Sequence, residues 1–415
     1  MPSIDVRSRG SQDDVEVDPT AFLREVAELV DRRGHDAARG AARQDLPPMT
    51  LVVDGRPVTF EPVGGRMQVH GRRTDHLVVD VDQVAFSDLV QDVSSTFGLQ
   101  MQGRARITVG RAEDFLSWEP ILRSLLDGRG VYEPGSIDFV SDTGDELDLQ
   151  RTFRPDDDPA EMGAFLAETG YLHVSRVFSP TEMDAVSADL DRSIADARRD
   201  DGSSWWARTR HEGWYPARIL GFNHSSPALR ELLADPRFTR FGTLTDDQMV
   251  QRDPLATDAA EALLKKVGVV EGISDVVWHK DCSMGGHSRR CSGLTVGICV
   301  TGAGPTNGEL GVAAGSHRAN VSPLGVDGLD LPRIPLPTEK GDITVHCSCT
   351  LHMSRPPVHE ERRVVYSGFS LAPRPGEEAA PADPAEARRA RLELSDRSRG
   401  LRLRRSSGAV SFDLD

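Results

Sequence analysis

The sequence predicts two folded parts, a smaller α/β domain followed by a larger, mainly β domain. Three observations carry that prediction. Residues 15–135 open with one helical apolar stripe and continue as short strands between turn formers. Strand-like runs at residues 341–346 and 362–369 mark the larger part, residues 159–372. Between the two, residues 136–158 hold several turn formers and end in Pro155-Asp156-Asp157-Asp158, the composition of a linker. Residues 1–14 read as a flexible polar tail, and residues 373–415 as a second tail, Pro- and Glu-rich at first and Arg-rich later.

Within the smaller part, apolar residues at 22, 23, 26, 29 and 30 repeat with helical spacing, entered through Pro19-Thr20. Leu51-Val52-Val53 and Val58-Thr59-Phe60 flank Asp54-Gly55, a pair that tolerates the positive φ a tight hairpin needs. Met67-Gln68-Val69 and Leu77-Val78-Val79 add strands; a short helix is expected at 86–90, another strand at 104–110 and a final helix at 114–122. In the larger part, Gly341-Asp342 turns into a strand through His346, and residues 362–369 are rich in β-formers. Trp205-Trp206 with Arg208, Arg210 and Trp214 falls in an expected loop, as a substrate contact or as simple aromatic packing.

Composition narrows the function. At 45.3 kDa, net charge −16 and pI near 5.2, the chain is a poor partner for nucleic acid or an anionic membrane. No apolar run is long enough to span a bilayer, and the first residues lack an apolar signal segment, so a cytoplasmic protein is expected. Five cysteines, an odd number, fit a reducing compartment. All fall between Cys282 and Cys349, without a Cys-x-x-Cys pair, so buried thiols are expected rather than a structural zinc site.

The chemistry concentrates in two short runs, Trp278-His279-Lys280-Asp281 and, about seventy residues on, Leu351-His352-Met353-Ser354. On a strand, residues i and i+2 share a side, so His279 and Asp281 aim at one point and Lys280 faces away. A third ligand comes from a neighbouring strand. Two imidazoles and one carboxylate make the facial set that holds Fe(II) and leaves three positions open. An arginine ten residues past His352 suits a carboxylate co-substrate, which a guanidinium grips with two parallel bonds. With 2-oxoglutarate, the keto-acid end would chelate iron, the far carboxylate would rest on Arg362, and O2 would take the last position. The bland alternative is ordinary polar residues on barrel strands, satisfied by local partners.

Residues 159–372 resemble the phytanoyl-CoA 2-hydroxylase family of Fe(II)/2-oxoglutarate oxygenases. The likeness runs from Phe165-Leu166-Ala167-Glu168-Thr169-Gly170-Tyr171-Leu172-His173-Val174 through Trp278-His279-Lys280-Asp281 and Asn307-Gly308-Glu309-Leu310-Gly311-Val312-Ala313-Ala314-Gly315-Ser316-His317. It continues through Gly341-Asp342, His346 and Leu351-His352-Met353-Ser354. The resemblance implies a double-stranded β-helix, or cupin-like jelly roll. It implies His279, Asp281 and His352 as iron ligands and Ser354 as a 2-oxoglutarate contact. Relatives' spacing from the histidine points to Arg363, whereas the following strand points to Arg362. Adjacent strand residues face opposite ways, and Arg362 is favoured. The implied reaction spends O2 and 2-oxoglutarate, yielding succinate and carbon dioxide, to oxidise an unactivated C–H bond. Keeping Asp281, where related halogenases carry a small residue, favours hydroxylation. His317 and His346 are read as structural or neighbouring groups, and Gly285-Gly286-His287 with Arg289-Arg290 as a loop able to contact substrate.

Residues 15–135 resemble the sterol-carrier-protein type 2 fold. The carrying stretches are His76-Leu77-Val78-Val79-Asp80, Phe86-Ser87-Asp88-Leu89, Gly103-Arg104-Ala105, and residues 118–129 from Trp118-Glu119-Pro120 to Asp127-Gly128-Arg129. That likeness implies an apolar ligand, and so an apolar substrate: a lipid, steroid, terpenoid or other natural product. A domain used only for dimerisation or docking is the other reading, and the sequence leaves the oligomeric state open. A lipid-binding or transfer protein with a vestigial oxygenase domain is the alternative function.

Overall fold

A computed structural model describes Arg7, Asp13 and residues 15–374, except residues 142, 200, 248, 256, 273–275, 283–290 and 327. The described chain gathers into two compact units. The first comprises the residues up to Asp138 together with residues 280–282 and the stretch Ser316–Asp330, and the second comprises the rest. Two stretches of the expected larger domain pack with the first unit, which linear composition does not show.

In the first unit, Asp18 caps helix α1 (Pro19–Arg43), accepting from the Thr20 and Ala21 N–H groups at 2.9 Å. Strands β1 (Met49–Val53), β2 (Arg56–Val63), β3 (Arg66–His70) and β4 (Leu77–Val81) follow. Then come α2 (Gln83–Val90), α3 (Thr96–Met101), β5 (Ala105–Val109), α4 (Ala112–Ser117) and α5 (Glu119–Leu126). Among the described residues the strands form one sheet in the order β3-β2-β1-β4-β5, with β1 and β4 parallel. Asp54 and Gly55 do adopt positive φ, 47° and 84°, in the β1–β2 turn. The final helix is two helices, broken at Trp118, where Pro120 sits in the first turn of α5. Phe22, Phe60, Phe86 and Trp118 meet in the core at ring separations of 5.3–6.3 Å. Gly40 is required in α1, since a Cβ there would lie 2.7 Å from Val131 and 2.9 Å from Ile121.

The same core buries an ion cluster. Arg123 meets Asp92 at 2.9 Å, Glu119 at 3.2 Å and Asp127 at 3.0 Å. Burial pushes the Asp92 carboxyl up to about 6, against the pull of Arg123 and Arg129. Burial alone would lower the Arg123 guanidinium, yet the surrounding carboxylates hold it above its ordinary range.

The second unit opens with α6 (Pro159–Thr169), closed by Gly170 at φ 84°, then β6 (Tyr171–Val174) and α7 (Pro180–Asp196). A hairpin of β7 (Ser204–Thr209) and β8 (Gly213–Ile219) follows, so the Trp205-Trp206 run and Trp214 lie on paired strands, not in the expected loop. Short helices α8 (Phe222–Ser225), α9 (Pro227–Ala234) and α10 (Pro236–Thr239) lead to β9 (Val250–Gln251), β10 (Glu261–Lys265), β11 (Val269–Glu271) and β12 (Val276–His279). The chain ends its described course in β13 (Gly293–Cys299), β14 (Leu310–Ala313), β15 (Arg333–Leu336), β16 (Ile343–Cys347), β17 (His352–Ser354) and β18 (Arg362–Ser370).

Strands β10, β18, β13 and β16 are consecutive neighbours in a large sheet; β12, β17, β14 and β15 make a smaller one. From β10 onward the chain therefore passes back and forth between two antiparallel sheets, which is a jelly roll. Asp342 locks its start to β6: its carboxylate accepts from the Arg176 N–H at 2.8 Å and lies 2.9 Å from His173 Nε2. Burial opposes the charge, but these bonds and one from the Glu339 N–H hold the Asp342 carboxyl below its usual range. The described residues among 136–158 carry no helix or extended strand of their own, and the expected C-terminal tail lies outside the described residues from 375 onward.

Candidate functional site

β12 and β17 set His279 and His352 directly opposite each other, with a bulge between Val276 and His279. The two rings lie 4.2 Å apart. Bulges recur beside active sites because they re-aim a side chain. Asp281 lies two residues past β12, exposed and in a bend, so it is not the strand-borne i+2 partner the sequence predicts. Even so, one ligand atom from each of His279, Asp281 and His352 lies within 4.8 Å of the others. Among the described residues this is the one group of three such side chains placed to hold a metal ion, and no cysteine joins such a group.

The donor chemistry fits a divalent metal. His279 Nδ1 stands 2.8 Å from the Val277 carbonyl and 3.1 Å from that of His352, while His352 Nδ1 stands 3.0 Å from the Thr350 carbonyl. A carbonyl only accepts, so each Nδ1 carries the proton. Each Nε2 is then left with its lone pair, the tautomer a metal needs. His346, on β16, packs its ring 4.2 Å from that of His352 and is not one of the three grouped residues. His317 is buried and stands outside the group too.

Two residues past His352, on the same face of β17, Ser354 gathers two buried cations. Its Oγ accepts from Lys265 Nζ at 2.8 Å and from Arg362 at 3.1 Å, and donates to the Gly308 carbonyl at 3.0 Å. Arg362 also donates to Gly308 at 2.7 Å, and its Nε is buried without a protein partner among the described residues. An orphaned buried donor costs on the order of 1–3 kcal/mol, which a ligand carboxylate would recover. Gly308 (φ 87°) cannot carry a side chain here, since a Cβ would stand 2.9 Å from the Arg355 carbonyl. Arg363 faces the other way and pairs with Asp191 at 2.7 Å and Glu361 at 3.0 Å. The nearby Glu309 carboxyl is raised by burial, an effect Arg355 and Arg362 oppose.

Lys265 is the residue that sequence reasoning passes over. It sits in Leu263-Leu264-Lys265-Lys266, where paired lysines read as a solvated strand end, and its register opposite Arg362 is visible only once β10 and β18 pair. Four of the cysteines are buried, Cys282 is half-buried and all five are free; Cys291 and Cys349 bring their sulfurs to 3.3 Å. Burial raises the Cys299 and Cys347 thiols. The Gly285-Gly286-His287 and Arg289-Arg290 stretch lies outside the described residues.

The chain matches the family model of phytanoyl-CoA dioxygenase (PhyH) over residues 166–364. It is thereby an enzyme of the non-haem, 2-oxoglutarate-dependent oxygenase class, with iron and 2-oxoglutarate as its cofactors and O2 as co-substrate. No curated protein matches the chain. Among solved structures it is similar to AviO1 from Streptomyces viridochromogenes Tue57, at 22% identity over 55% of this chain and 98% of that one, TM-score 0.41. It is also similar to SnoK, a non-haem α-ketoglutarate-dependent carbocyclase from nogalamycin biosynthesis, at 19% identity over 55% and 94%, TM-score 0.39. A third is EctD from S. alaskensis with 2-oxoglutarate and 5-hydroxyectoine, at 16% identity over 59% and 82%, TM-score 0.42. No residue role is carried over from these likenesses. Among the described residues, no helix is long and apolar enough to cross a membrane.

Proposed function

We propose that this enzyme hydroxylates, or otherwise oxidises, an unactivated C–H bond of an apolar small molecule, with His279, Asp281 and His352 holding Fe(II). Arg362 and Ser354 take the far carboxylate of 2-oxoglutarate, and Lys265 adds a second positive charge to the same hydroxyl. The observation that carries this reading is the pairing of a three-ligand group with a buried, under-satisfied arginine through one short strand, β17. When bound, iron and 2-oxoglutarate supply the activation of O2. The chain's own part is to fix two imidazole tautomers, to orient the keto acid through Arg362 and Ser354, and to keep that carboxylate away from water.

The apolar substrate class rests on the resemblance of residues 15–135 to the sterol-carrier-protein type 2 fold. One cavity of about 420 Å³ in the first unit is bordered by charged residues (Asp36, Arg39, Glu133) and by apolar ones (Val131, Ile137, Ala319).

The test is an anaerobic titration of metal-free protein with Fe(II) and 2-oxoglutarate, following the visible charge-transfer band of the chelated keto acid. A band in the parent that disappears in His352→Ala is expected. Folded parent protein without a band would refute the iron site and leave lipid binding as the better reading. Succinate release screened against fatty acyl, steroid and terpenoid compounds then tests the substrate class; stimulation only by strongly polar compounds would exclude it.

A further inference from the structure

Asp281, the one proposed ligand beyond the end of its strand, needs something else to place it. The residue between the two ligands of that run is itself held at two points. The Lys280 N–H donates to the Pro323 carbonyl at 2.9 Å. Its Nζ donates to the Ser316 carbonyl at 3.1 Å and reaches that of Ala319 at 3.5 Å. All three carbonyls belong to the stretch Ser316–Asp330, which packs within the first unit.

That stretch is in turn pinned by side chains of its own. Asn320 Nδ2 donates to the Pro120 carbonyl at 2.9 Å and to the Arg129 carbonyl at 3.1 Å, at the two ends of the α5 region. The Asn320 carbonyl accepts from the Tyr132 N–H at 3.3 Å. Further along, Asp330 accepts from the Tyr132 hydroxyl and, at 2.7 Å, from the Gly135 N–H. Arg318 donates to the Asp138 carbonyl at 2.9 Å. Asparagine suits the Asn320 position because one amide nitrogen supplies both donors that two backbone carbonyls require.

We propose that Lys280 and Asn320 are positioning residues for the metal carboxylate. Asn320 fixes the strap Ser316–Asp330, the strap fixes Lys280, and Lys280 sets where the Asp281 carboxylate stands relative to the two histidines. This inference rests on the reading of His279, Asp281 and His352 as the iron ligands. Residues that orient ligands from behind typically change metal affinity 10- to 100-fold when altered, even though they never touch the metal.

The experiment uses the full chain, without oxygen and with saturating 2-oxoglutarate, and reads the apparent Fe(II) dissociation constant from the visible band. Urea unfolding of the metal-free proteins is measured alongside. Asn320→Ala and Lys280→Met should each weaken Fe(II) binding roughly tenfold. Each should do so with a metal-free unfolding midpoint close to the parent's, a separation that general loss of structure would not give. Lys280→Arg, which keeps a long cationic donor, should recover most of the affinity. If Asn320→Ala folds poorly, Lys280→Met decides the matter, since its stem is retained. A parent that shows the band, with Lys280→Met and every folded Asn320 variant binding Fe(II) within twofold of it, overturns this inference alone. A parent with no band overturns the iron reading, and this inference with it.

Discussion

Each unit buries an arginine, and the two are neutralised in opposite ways. Arg123 in the first unit is enclosed by Asp92, Glu119 and Asp127, all within 3.2 Å. Arg362 in the second unit is equally buried, but its hydrogen-bond partners are the neutral Gly308 carbonyl and Ser354 hydroxyl, with the cation Lys265 on the same hydroxyl and, as the nearby carboxyl, a Glu309 whose pKa burial raises. A buried charge surrounded by its counter-ions has nothing left to recruit. A buried charge beside another cation, with its Nε unsatisfied, is complementary to an anion from outside. Burial of arginine alone therefore does not mark a binding site; the local charge balance does.

The contrast is broken most severely at Arg123. Arg123→Met leaves the buried carboxylates of Asp92 and Glu119 without their central cation and should cost about 3–5 kcal/mol in urea unfolding, with 2-oxoglutarate affinity unchanged in the folded fraction. Arg362→Ala should reverse that pattern. Truncating a buried charge that holds a ligand carboxylate costs about 2–4 kcal/mol, seen as a 30- to 1000-fold rise in the 2-oxoglutarate dissociation constant. Arg363→Ala, which removes only its pairs with Asp191 and Glu361, should leave that constant within a factor of two.

A pH comparison sharpens the same contrast. The folded Asp92 carboxyl titrates near 6, above its unfolded value of 3.8, so the folded state binds the extra proton. The stability this group contributes is present below about pH 4 and is lost as pH rises through 6. Asp92→Asn should therefore gain on the parent by roughly 2–3 kcal/mol between pH 4 and pH 7, read from paired urea curves. The smallest effect is expected at Ser179, which forms a reciprocal capping box with Glu182 at the start of α7. Ser179→Ala should cost about 1 kcal/mol of stability and leave cofactor affinity untouched.

Much of this was legible in the residues, for reasons that differ by region. The Asp54-Gly55 hairpin could be read because few residue pairs accept two positive φ angles. The grouping of His279, Asp281 and His352 could be anticipated because metal chemistry restricts the residue types, although Asp281 proved to lie beyond the strand. The β7–β8 hairpin was missed because a register shift between Trp205 and Trp206 breaks the alternation that reveals a strand. Lys265 and Asn320 were missed for a different reason. Each acts across a large sequence separation, 89 residues to Ser354 and 200 residues to Pro120, and local pattern carries no such information.

The face-to-face register of His279 and His352 has one more consequence. Strand side chains alternate, so a slip of one residue between β12 and β17 would carry an imidazole to the wrong side of the sheet. Hydrophobic burial tolerates many near-misses in a chain with several short strands; a metal that demands both imidazoles on one side tolerates none. With the proposed ligand set, iron would act as a proofreader of strand alignment: a molecule able to capture it would, by that act, have certified the register of β12 on β17.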